Sequence, residues 1–149
     1  MIISIASDHG GFSLKETLKD FLEREGYRVI DRGTDSNESC DYPDYGIRVI
    51  EDILQGRSER GILTCGTGIG MSILANRFRG IRAALCFNEY MARMSRLHND
   101  SNVLVMGGRV IGPELALSIV RTWLDTPFEG GRHKRRLEKL ESLVESYKG

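Results

Sequence analysis

Cysteine is scarce in this chain: three residues in 149, an odd count with no CxxC pair. That leaves no basis for a disulfide framework or a structural zinc site, and a reducing cytoplasm is the expected setting. Long apolar runs are missing as well. None approaches the ~18 residues of a membrane span. The apolar start, Met1 to Ser7, has no basic lead and no small-residue cleavage site, so it reads as a strand rather than a signal peptide. An excess of one charge is also absent. Lys plus Arg and Asp plus Glu are 21 each, for a net charge of 0. A protein that coats nucleic acid or an anionic membrane needs a basic excess, and aromatics for stacking bases are few at 7%. Proline occurs three times, and no Pro/Ser-rich linker, repeat or low-complexity tract divides the chain.

What is present is ordinary for a globular protein: 40% hydrophobic and 28% charged residues. The length fits one domain over 1–149, enough to bury roughly 70% of its surface. The charge sum hides a split. Residues 1–60 carry 8 basic and 13 acidic side chains, whereas residues 61–149 carry 13 and 8. A basic second half can hold a small anion, such as a phosphorylated or carboxylated metabolite, without making the molecule basic.

Short apolar runs alternate with amphipathic ones. Strands are expected at Ile2–Ser7, Tyr27–Asp31, Gly61–Cys65, Arg82–Cys86 and Asn102–Met106. Their nearly continuous apolar character marks strands covered on both faces, hence a parallel sheet. Helices are expected over Ser13–Glu25, with Ser13 as cap, and over Pro43–Gln55, Asn88–Leu97 and Gly112–Leu124, with a last one from His133 to Tyr147. The fold class is α/β, an open sheet of about five strands, and ligands are expected beyond the strands' carboxyl ends.

Asp8-His9-Gly10-Gly11 follows the first strand, where an acid and an imidazole can meet a polar ligand. Cys65-Gly66-Thr67-Gly68-Ile69-Gly70 follows the third and precedes a helix. Glycines at alternate positions expose successive N–H groups as an anion cradle. Their spacing is neither GxGxxG nor a P-loop. Cys65 stands at its mouth, and a thiol near a helix N-terminus can serve as base or nucleophile. A C-x5-R phosphatase loop fails here, because residue 71 is Met. Cys40 and Cys86 have no such loop and read as structural or incidental. His98 and Asn99 end the fourth helix, where a lone His reads as a helix-end cap. Gly107-Gly108-Arg109 follows the fifth strand. Arg132 and Arg136, i and i+4 in a basic stretch, share a helix face and suit a phosphate.

Taken together, Ile5-Ala6-Ser7-Asp8-His9-Gly10-Gly11, Asp41-Tyr42-Pro43-Asp44, the Cys65–Gly70 loop, Asn88, His98-Asn99, Gly107-Gly108-Arg109 and Gly130-Gly131-Arg132-His133 resemble the ribose 5-phosphate isomerase B family. That family includes galactose 6-phosphate and allose 6-phosphate isomerases. The resemblance implies a Rossmann-like three-layer α/β/α sandwich and an aldose–ketose isomerase without metal or organic cofactor. It assigns Cys65 as the base that moves a proton between C2 and C1, and His98 to ring opening with Asp8 and Thr67. Phosphate binding falls to His9, Arg109, Arg132 and Arg136. The enediolate oxygens fall to the N–H groups of Gly66, Gly68, Ile69 and Gly70 with Asn99, and Tyr42 walls the sugar pocket. Cys65 together with Met71 matches the cysteine branch of the family, since the other branch places a glutamate at the position of Met71. The resemblance also implies dimers or tetramers, with each site built from two subunits and the last helix, about 133–147, completing the site or the dimer. The leading substrate is ribose 5-phosphate, interconverted with ribulose 5-phosphate. The alternatives are a six-carbon aldose 6-phosphate and a non-catalytic sugar-phosphate sensor.

Overall fold

The computed structural model describes residues 1–147. Five parallel strands, β1 (Ile2–Ser7), β2 (Arg28–Asp31), β3 (Arg60–Cys65), β4 (Ala83–Leu85) and β5 (Val103–Gly107), form one sheet in the order β2-β1-β3-β5-β4. Registers such as Ile5↔Ile62 and Leu63↔Val105 place apolar residues side by side across the central strands. The helices are α1 (Phe12–Arg24), α2 (Tyr42–Leu54), α3 (Ile69–Ala75), α4 (Glu89–Leu97), α5 (Pro113–Asp125) and α6 (Arg132–Ser146).

Strand alternation sends odd and even residues to opposite faces, and both faces are apolar. Ile3, Ile5, Ile62, Leu104 and Met106 pack with α1, α4 and α5 around the buried Leu18 and Trp123. Ala6, Leu63, Cys65, Val103 and Val105 pack with Val49 and Ile50 of α2 and Met71 and Ala75 of α3. The result is the expected three-layer α/β/α sandwich. Each fully buried Leu or Ile contributes about 1.5–3 kcal/mol.

The start of α1 departs from the sequence expectation. Its N-cap is Gly11, not Ser13, and no side chain caps the helix directly. Instead Asp8 Oδ1 accepts the N–H groups of Gly10 and Gly11 at 2.9 and 3.2 Å, so the loop's own acid satisfies these donors. The last helix stands apart in another way. Of α6 only His133 is buried, while Leu140, Leu143 and Val144 remain about half exposed.

The chain leaves β1 toward β2 on one side and toward β3 on the other. The crevice between the carboxyl ends of β1 and β3 is therefore the topological switch point, where sheets of this class bind ligands.

Candidate active site

Three loops meet at that crevice. The first carries Asp8, His9, Gly10 and Gly11; the second runs from Cys65 to Gly70; the third is Gly107-Gly108-Arg109. They touch backbone to backbone. A Cβ on Gly108 would lie 2.7 Å from the Gly10 carbonyl oxygen, and one on Gly107 would lie 2.6 Å from that of Thr67. Gly108 and Arg109 also donate backbone N–H to the carbonyls of Cys65 and Gly66, at 2.8 and 3.0 Å.

Cys65 ends β3 with its side chain buried on the α2/α3 face. Its Sγ accepts the Gly68 N–H at 3.1 Å. That contact exists because Gly68 adopts φ +84°, a left-handed conformation that glycine reaches without strain. Thr67 is exposed beside it, its Oγ1 accepting the Ile69 N–H at 3.2 Å. Tyr42 opens α2 and lays its ring over Gly70, where a Cβ would meet Tyr42 Cζ at 2.8 Å. Met71 is fully buried in the α2/α3 layer. The guanidinium of Arg109 lies over Gly10 and Gly66, 3.3–3.4 Å from where their Cβ atoms would stand. It makes no hydrogen bond or ion pair among the described residues, so its donors face outward unspent.

His9 points into the same region. Its Nδ1 accepts the Cys40 N–H at 3.2 Å, which leaves Nε2 as the donor. Cys40 Sγ lies 4.0 Å from the same nitrogen. The sequence contains no local signal for this contact, because 31 residues separate the partners. Cys86 is inert by contrast: burial pushes its thiol up to about 11, although a Ser95 hydrogen bond lowers it somewhat.

Asp8, His9, Tyr42, Cys65, Gly66, Thr67, Gly68, Ile69, Gly70 and Arg109 thus gather at the carboxyl end of the sheet. His98, Asn99 and Arg132 do not join them. Helices in this fold run antiparallel to the strands, so the end of α4 lies at the amino end of the sheet. The contacts there agree. Arg82 donates from its backbone N–H to Asn102, just ahead of β5, and its side chain binds Asp100. Arg60, at the start of β3, donates to the Trp123 carbonyl at the end of α5. Glu129 N–H reaches the Leu97 carbonyl at 3.1 Å, tying the segment ahead of α6 to the end of α4. A five- or six-residue strand spans about 15–20 Å, so within one chain the thiol and His98 sit at opposite ends of the sheet.

This second cluster has its own order. The His98 and His133 rings are stacked, with centroids 4.1 Å apart and planes 14° from parallel. His133 is buried, with Glu129 Oε2 3.7 Å from its Nε2. Burial, then the nearby His98, Arg132 and Arg136, lower its pKa below the usual histidine value, against the opposing pull of Glu129. Arg132 and Arg136 are exposed and make no ion pair among the described residues. Asn99 lines a groove beneath residues 76–84, closed on the other side by Leu137, Leu140, Glu141 and Val144 of α6.

His98, Glu129 and His133 are also where a metal could be held, since their ligand atoms lie within 4.8 Å of one another. The geometry suits a metal poorly. Face-to-face rings carry their lone pairs side by side rather than converging, and Arg132 and Arg136 add positive charge alongside.

Comparison with known proteins gives one consistent result. The Ribose/Galactose Isomerase family profile matches residues 3–140. Ribose-5-phosphate isomerase B of Escherichia coli is 48% identical over 141 residues, 95% of this chain and 95% of that protein. D-erythrulose-4-phosphate isomerase of Pectobacterium atrosepticum is 45% identical over 139 residues, 93% of this chain and 91% of that protein. The solved structure of ribose-5-phosphate isomerase B from Clostridium thermocellum superimposes with a TM-score of 0.96 at 56% identity, covering 99% of each chain. The chain belongs to the ribose/galactose isomerase family.

Proposed function

We propose that this protein is an aldose–ketose isomerase of a phosphorylated sugar, with ribose 5-phosphate and ribulose 5-phosphate as its pair, and that Cys65 is the base. The observation that carries this reading is the placement of the Cys65 thiol at the switch-point crevice. It accepts the Gly68 N–H inside the glycine loop and lies beside Gly66, over which the guanidinium of Arg109 sits without a partner among the described residues. A thiolate there removes the C2 proton of the open aldose. The electron pair moves onto the C1 oxygen to give an enediolate; the O2 proton then passes to O1 as the C2 carbonyl forms, and the thiol returns the first proton to C1. Backbone N–H groups of Gly66 and Gly70 meet the developing charge, joined by those of Gly68 and Ile69 once they leave Cys65 Sγ and Thr67 Oγ1, with Asn99 assisting. Asp8 assists at the sugar, a role supported by Oδ1 being taken by Gly10 and Gly11 while Oδ2 has no hydrogen-bond partner among the described residues. Thr67 and His98 serve ring opening, His9, Arg109, Arg132 and Arg136 hold the phosphate, and Tyr42 forms a wall.

These roles require two chains. Topology holds Cys65 and His98 at opposite ends of the sheet, so a complete site brings the carboxyl-end loops of one protomer against the His98, Asn99, Arg132 and Arg136 cluster of another. A two-fold dimer meets this demand twice over. The exposed apolar face of α6 supports such a contact.

The test is turnover on four-, five- and six-carbon aldose phosphates, with and without Cys65→Ala. Ribose 5-phosphate is expected to give the highest kcat/KM. Cys65→Ala is expected to lose at least ~10³-fold in kcat while still binding the sugar phosphate. Faster turnover of a hexose 6-phosphate would move the assignment to that substrate. Unchanged turnover in Cys65→Ala would remove Cys65 from the chemistry, and absence of turnover on every sugar would favour a sensor.

A further inference from the structure

We propose that His133 is the positioning residue for His98, a role that rests on the reading of His98 as the ring-opening group. The His98 side chain makes no hydrogen bond among the described residues. It follows the last turn of α4, partly buried, and a histidine χ2 has broad, shallow preferences. A proton donor held so loosely is a poor one, because productive geometry tolerates roughly 0.5 Å and 10–20°. The stack on His133 supplies what is missing. It fixes the plane of the His98 ring from one side and leaves its nitrogens free.

His133 is built for that task. Its side chain is 4% exposed, it lies in the first turn of α6, and its backbone N–H is tied to Gly130 at 3.0 Å. Its Nε2 has no hydrogen-bond partner, and the nearest acceptor, Glu129 Oε2, is 3.7 Å away. With Nε2 buried and bound to no hydrogen-bond acceptor, the contact this side chain does make is the one through its ring face. The charged groups around it, Arg132 and Arg136 on α6 and Glu129 ahead of it, leave a net positive surrounding that favours the neutral ring. A neutral ring stacks on His98 without charge repulsion. Because Arg132 and Arg136 sit on the same helix, the stack also sets the distance from the proton donor to the phosphate arginines.

The chain has three histidines, so proton NMR of the full-length protein reads the stack directly. The His98 ring protons are expected upfield, in the ring current of His133. In His133→Phe the upfield shift persists and kcat on ribose 5-phosphate stays within about threefold of the parent. In His133→Ala the shift is lost and kcat falls about 10–100-fold, while KM changes less than about threefold. His133→Leu, which fills the space without a ring, gives the same result as Ala where truncation costs the fold. Loss of the shift with kcat intact overturns the role, as does equal impairment of Phe and Ala, or an effect confined to KM. A parent inactive on every sugar would sink the isomerase reading instead, and the shift is measured without turnover.

Discussion

At the scale of single residues, Gly68 sets the geometry around the Cys65 thiol. Its φ of +84° turns the N–H onto the Cys65 sulfur, and a Cβ there would stand 2.5 Å from Leu85 Cδ1 and 3.1 Å from the Met106 carbonyl carbon. Gly56 has a similar φ of +71° but open space around it. The pair separates strain from collision. Gly56→Ala is expected to cost about 1–2 kcal/mol in urea unfolding, the left-handed penalty alone. Gly68→Ala is expected to cost clearly more, about 3 kcal/mol or above, and to reduce turnover as the loop shifts under Cys65. Equal costs at the two positions would show that the Gly68 contacts relax freely. The residues of this loop were legible in the sequence, because alternate glycines after an apolar strand have few other uses. The stack of His133 on His98 was not legible. Ring faces 35 positions apart leave no local pattern, and His133 reads in sequence as one more member of a basic run.

At the scale of elements, one buried carboxylate joins three segments. Asp52 of α2 accepts Ser4 of β1 at 2.6 Å, Arg32 beyond β2 through two bonds of 2.7 Å, and Arg57 after α2 at 2.7 Å. Burial raises its pKa, but the hydrogen bonds of Arg32, Ser4 and Arg57 outweigh that and hold it at about 2, below the ordinary 3.8. A carboxylate depressed in the folded state stabilises fully above its unfolded pKa and loses that contribution as pH falls through the folded value. About 2 kcal/mol should therefore disappear between pH 4 and pH 2. Asp52→Asn is expected to lower stability at pH 7 and to flatten the acid limb of a denaturation series in that window. An unchanged acid limb would remove Asp52 from this role. None of this network shows in the sequence, where Asp52 reads as a polar position on an amphipathic helix. The three central strands were legible because double burial leaves them mostly apolar, and the partly exposed β2 and β4 because short β-branched or apolar runs still mark them. The N-cap of α1 is Gly11, two positions ahead of Ser13, because Asp8 Oδ1 fixes the turn before the helix through the Gly10 and Gly11 N–H groups. The two-turn α3 was foreseen only as a helix following the glycine loop, since seven residues carry too little periodicity to bound it.

At the scale of the whole molecule, the candidate site is split along the strand axis. Both halves were legible as motifs, but their separation was not. Sequence order says nothing about which end of a sheet a helix terminus occupies until the strand order is known. A complementation experiment tests the pairing. Cys65→Ala and His98→Asn chains, each strongly impaired alone, are co-expressed or refolded together. Random pairing makes about half of the dimers mixed, each with one intact site of two, so about a quarter of parental activity should return. No gain over the separate variants would place both groups in one chain's site. The exposed α6 face carries a further consequence. If the site exists only between chains, catalysis is itself a measure of association. Specific activity should hold constant at high protein concentration and fall on dilution below the dimer dissociation constant, with substrate shifting that point lower by binding only the assembled form.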